Sequence, residues 1–205
     1  MATEQSVPTS TAVPTADVAI ADPAPLGLAS FALTTFVLSC FNANLIDAKL
    51  SAVVLPLALA YGGVAQLLAG MWEFRKGNTF GATAFGSFGA FWIAYYFLVK
   101  DALPALAGDP HANRAVGLFL LAWAIFTAYM AVAAVRVSGA VLAVFVALTV
   151  TFALLAAGAF GSSESITKTG GWMGLITAMV AWYASFAGVT AYTFKRPVLP
   201  TWPAR

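Results

Sequence analysis

The sequence predicts an all-α integral membrane protein of six transmembrane helices, and three observations predict it. Composition is the first: of 205 residues, 61% are hydrophobic and 9% charged, and the mean hydropathy is +0.87. Soluble chains run near half apolar and about a quarter charged, and a domain of this length has too little interior to hide the excess. Segment length is the second. A bilayer core about 30 Å thick takes roughly 20 residues of apolar helix, and the stretches 26–46, 52–72, 79–99, 115–135, 138–160 and 171–194 meet that requirement. The third is that none of these stretches holds an Asp, Glu, Lys, Arg or His, so charge is confined to tails and connections.

Before the first span, residues 1–21 are rich in Ala, Thr, Pro and Val and contain no Lys or Arg. A secretory signal needs a basic start and a continuous apolar core, so this segment is expected to be a disordered cytoplasmic leader. The span opens on "DPAPLGL", residues 22–28. Asp22 fits an N-cap, Pro23 the first helical position, and Pro25 the first turn, where missing backbone donors cost little. Within the span, Phe31, Thr34, Thr35, Leu38 and Asn42 recur at helical spacing on one face. A lipid-facing stripe has no use for an amide, whose unpaired groups cost several kcal/mol there. Asn42 therefore either ties helices together or lines a wetted path.

The second span carries "YGGVAQLLAG", residues 61–70, whose glycines suit close helix contact and whose Gln66 is open to the same two readings. It stops at Glu73, Arg75, Lys76 and Gly77, which permit a tight reversal. In the third span Ala82, Gly86 and Ala90 form a small row for a neighbouring helix, with Phe88 on the opposite side. The connection that follows, 100–114, carries Pro104, Gly108 and Pro110. These short connections leave no room for a separate soluble domain. One membrane domain over 22–196 and a short tail over 197–205 are expected.

The chain offers little for catalysis. Cys40 is the single cysteine and His111 the single histidine, and the latter sits beside Asp109 in a proline-rich loop. Neither makes a metal site. "GSSES", residues 161–165, lacks a histidine in any span to activate a serine. No enzyme activity, cofactor, metal or nucleic-acid partner is expected. Pumps and proton-coupled carriers keep an ionisable group at membrane depth, and the nearest here is Glu73, read as a boundary charge beside Arg75 and Lys76. Passive conduction is favoured over tight proton coupling. With both termini inside, Arg75, Lys76, Arg136, Lys195, Arg196 and Arg205 lie on the cytoplasmic side, against Lys49, Lys100, Arg114 and Lys168 outside, the bias expected of a plasma or inner membrane protein.

Three blocks together, "DPAPLGL" (22–28), "YGGVAQLLAGMWEFRKGNTFGATAFGSFGAFW" (61–92) and "ALTVTFALLAAG" (147–158), resemble the acetate uptake transporter family over nearly the whole domain. The resemblance implies a homohexamer in the lipid bilayer, each protomer enclosing its own pathway for acetate and related small carboxylates, succinate among them in some members. Asp22, Pro23, Ala24, Pro25, Leu26, Gly27 and Leu28 stand where the family has its entrance motif Asn-Pro-Ala-Pro-Leu-Gly-Leu. The family's narrowest point, a Phe, a Tyr and a Leu, falls on Phe31, Phe88 and Leu148. Thr34, Thr35, Asn42 and Gln66 are the candidate polar lining.

Two departures carry weight. Asp22 can cap a helix but repels a carboxylate, where Asn could donate to one. With Phe88 in place of Tyr, the constriction has no hydroxyl and should gate by excluding water. A channel for acetate is the leading expectation; an acetate–proton symporter and a non-conducting sensor or assembly protein of the same fold are the alternatives.

Overall fold

The computed structural model describes residues 20–203, and the expected leader lies almost wholly outside them. Six helices long and apolar enough to cross a membrane form the described part: α1 Ala24–Asn42, α2 Ala48–Lys76, α3 Thr79–Ala105, α4 Ala112–Ala134, α5 Gly139–Phe160 and α6 Glu164–Thr193. α6 packs on both α1 and α5, α5 on α4, and α2 on α3, while the middle of α2 lies against α1.

Helix starts follow side-chain caps. Asn78 accepts from Gly81 N at 3.1 Å, Ser138 from Val141 N at 3.2 Å and Ser163 from Ile166 N at 3.4 Å, each relieving an orphan donor of the first turn. α1 differs by one residue from the expected start. Pro23, not Asp22, gives the carbonyl that accepts the first helical bond, from Gly27 N at 3.1 Å. Asp22, directly before a proline, is held out of the helical region, and its Oδ1 accepts from Ala24 N at 3.1 Å. α1 ends before the expected 46 because Asn44 turns left-handed, φ 58°, a conformation Asn tolerates.

Four helices run past the apolar stretches into charged sequence. α2 begins four residues earlier as a 3₁₀ turn with Lys49 in it, α3 carries Lys100 and Asp101 in a π turn, α4 starts at Ala112 with Arg114 in its first turn, and α6 starts at Glu164 rather than 171. A helix need not stop where lipid does: Glu164 favours the positive end of α6 and pairs with Lys168 at 2.8 Å one turn on. The expected loop residues 100–105, 112–114 and 164–170 are thus helical.

Small residues set the helix distances. A Cβ on Gly70 would meet Gly86 N at 2.5 Å, and one on Gly89 would meet Leu67 N at 2.6 Å, so α2 and α3 touch backbone to backbone. Ala82 is buried on the same face, whereas Ala90 is exposed.

Candidate functional site: three cavities in series

The side chains singled out in α1, α3 and α5 meet at the centre of the molecule. Phe31 and Phe88 have ring centroids 5.7 Å apart, and both are buried with Leu148. Rings of Trp123, Phe126 and Phe145 surround Phe88 at 5.9, 5.4 and 6.0 Å. Offset and edge-on rings at these separations pack densely. Phe31, Phe88 and Leu148 border a cavity of about 20 Å³, room for roughly one water molecule and too little for a hydrated carboxylate.

A larger cavity lies on each side. Toward the Asn42 end of α1, about 250 Å³ are bordered by Thr35, Leu38, Asn42, Trp92, Thr151 and others, with Phe31 and Leu148 at its floor. Toward the start of α1, about 280 Å³ are bordered by Asp22, Ala24, Pro25, Leu28, the first turn of α5 and the second half of α6. Phe31 and Leu148 are common to the outer and central cavities, and Leu28 to the central and inner ones. The three therefore adjoin in series, with Phe31 and Leu148 at one boundary and Leu28 at the other.

Of the candidate polar residues, Thr35 and Asn42 border the outer cavity and Gln66 the central one. Thr34 does not join them. It is fully buried, donates to Ser30 O at 2.9 Å, and packs against Gly62, where a Cβ would come within 2.7 Å of its hydroxyl. One residue along a helix turns the side chain by a large angle, so only one of the adjacent threonines can face the path. Within the entrance motif, Asp22, Ala24, Pro25 and Leu28 border the inner cavity. Pro23 is buried, Gly27 lies under the Phe85 ring, and Leu26 is 46% exposed on the outer surface.

Thr34, Thr127, Thr151, Thr177 and Thr190 each donate to a carbonyl one turn back. Among the described residues four atoms are buried without any partner, Thr35 Oγ1, Trp92 Nε1, Gln66 Oε1 and Glu73 Oε1. Such an atom costs about 1–3 kcal/mol, and the first three belong to residues that border the cavities. The indole N–H can only donate. In the sequence Trp92 reads as apolar packing, so nothing there signals its orphaned donor.

The α2–α3 turn alters two expectations. Glu73, read as a boundary charge, has 0% exposure: Asn78 Nδ2 donates to its Oε2 at 2.8 Å, while Oε1 has no partner among the described residues. Gly81 makes the space, because a Cβ there would lie 2.7 Å from the Glu73 carboxyl carbon. Lys76 Nζ reaches Asp22 Oδ1 at 2.8 Å, so the carboxylate at the entrance is ion-paired. His111 and the "GSSES" serines stay at exposed helix ends and border no part of this path.

Comparison with known proteins agrees with this architecture. The family model described as GPR1/FUN34/yaaH family matches residues 4–203. Acetate permease A of Emericella nidulans is 44% identical over 183 residues, 82% of this chain and 61% of that protein. The succinate-acetate/proton symporter SatP of Escherichia coli K12 is 38% identical over 181 residues, 88% of this chain and 95% of that protein. The solved structure of the bacterial acetate channel SatP matches with a TM-score of 0.83 and 37% identity, covering 89% of this chain and 99% of that one. The chain thus spans less than two thirds of its Emericella relative and nearly all of its bacterial ones. It belongs to the GPR1/FUN34/yaaH family.

Proposed function

We propose that the chain conducts acetate and related small carboxylates, succinate among them, through the three cavities of each protomer. The observation that carries this reading is the serial arrangement: two cavities able to hold a small solute flank a far smaller one bordered by Phe31, Phe88 and Leu148. Relatives named for acetate and succinate transport supply the substrate class. A carboxylate leaving water loses several kcal/mol of solvation, part of which the buried donor of Trp92 and hydroxyl of Thr35 replace once side-chain motion turns them to the solute. The rings then exclude water until thermal motion parts them.

The Lys and Arg distribution supports placing the Asp22 end and both termini in the cytoplasm, with the protein in a plasma or inner membrane. The exposed apolar surface, including Leu118, Ile125, Val132 and Tyr192, suits lipid and the protomer contacts of a homohexamer. Proton symport is the second reading. Glu73, buried with one oxygen unpartnered, and the symporter relative favour it.

Proteoliposomes with radiolabelled acetate test both, protein-free liposomes giving the leak of the neutral acid. Flux down an acetate gradient at equal pH is expected. Accumulation only under a pH gradient would establish the second reading, and flux equal to the leak would leave the sensor alternative.

A further inference from the structure

Residues 197–203, beyond α6, do not trail away from the helices. Trp202 O accepts from Gly139 N at 2.8 Å and Thr201 O from Ala140 N at 3.2 Å, so the tail caps the first turn of α5. Ser138 pairs with Pro203 in an antiparallel bridge. Tyr183 on α6 donates its hydroxyl to Pro200 O at 2.7 Å, and its ring stacks on Trp202 with centroids 6.3 Å apart. Trp202 itself is held at φ 51°, a conformation that bulky residues avoid unless their contacts impose it.

The faces of the segment differ. Pro197, Leu199 and Thr201 border the inner cavity together with Asp22, while Val198 and Trp202 are 45% and 60% exposed. Alternate residues thus face the cavity and the outside. The helix that the tail caps presents Val141 to the inner cavity and, one to two turns later, Val144, Phe145 and Leu148 to the central one.

We infer that residues 197–203 are a gating strap: they wall the Asp22-side mouth and clamp α5 in the position that narrows the constriction. The inference rests on the pathway proposed above. While the strap is docked, a solute leaving the central cavity meets Leu199 and Thr201 before water. When it lifts, the mouth opens and the first turn of α5 loses two of its backbone partners.

Acetate flux in proteoliposomes tests it with the full chain, a variant ending after Arg196, Tyr183→Phe, and Thr201→Cys in a Cys40→Ala background. The truncation is expected to raise acetate flux about threefold or more and to weaken the preference for acetate over larger monocarboxylates. Tyr183→Phe, which deletes one hydroxyl, should raise it by about twofold. A bulky thiol reagent on Thr201→Cys should cut flux by about fivefold or more if the strap borders the route.

A full chain without flux overturns the pathway and the strap together. Full-chain flux matched by Tyr183→Phe and by labelled Thr201→Cys overturns the strap alone, whether or not the truncated protein assembles.

Discussion

The outer and inner cavities are close in size, about 250 and 280 Å³, and differ in what their walls offer a solute. The outer wall has no charged residue among those that border it, and two of its residues, Thr35 and Trp92, keep an orphaned polar atom buried behind the wall, Oγ1 and Nε1. The inner wall has the carboxylate of Asp22, exposed and paired with Lys76. Hydrogen bonds gain strength where water is excluded, whereas an exposed ion pair contributes little and is screened by salt. Selection should therefore reside on the Asn42 side of the constriction and access on the Asp22 side.

Trp92→Phe should break the comparison most. It removes the orphaned donor and keeps an aromatic ring, so stability should hold or rise while the acetate concentration for half-maximal flux increases about tenfold. Thermal unfolding in detergent beside concentration-dependent flux separates the two effects. A parallel loss of both would make Trp92 a packing residue.

Phe88→Tyr sharpens the boundary between the cavities. Its hydroxyl would enter a nest of rings from Phe31, Trp123, Phe126 and Phe145, at a cost of about 1–2 kcal/mol if unbonded. Acetate flux is expected to change by about three- to fivefold, with a shifted acetate-over-succinate preference. Equal flux and equal preference would remove position 88 from the gate.

Asp22→Asn should have the smallest effect. It leaves Lys76 without its carboxylate, so the mouth gains one positive charge, and anion uptake at low ionic strength should rise by about twofold. The gain should vanish near 1 M salt, where the screening length falls to about 3 Å. A rise that persists in high salt would point to direct contact between position 22 and the solute.

How much of this was legible in the sequence follows from which forces act locally. The six spans were readable because lipid demands a continuous apolar run. Their polar extensions were not, since Glu164 to Lys168 reads as loop until Ser163 is seen capping a helix. Phe31, Phe88 and Leu148 look like ordinary packing in isolation, and only the resemblance brought them together ahead of the structure. Neighbouring Thr34 and Thr35 are indistinguishable by pattern, because helix rotation decides which one loses its partner. Glu73 was misjudged because its burial depends on Asn78 and on the missing side chain of Gly81, not on the basic residues beside it.

That buried carboxylate bears on how the protein enters its membrane. Glu73 finds its partner only five positions along the chain, across a turn closed by left-handed Gly77 and Asn78. The polar contact can form as soon as α2 and the start of α3 have been synthesised, before any of the three later helices is present. A hairpin that satisfies one oxygen of its costly group from within carries less of that cost into lipid. α2 and α3 would then be a biogenesis unit on which the later helices assemble.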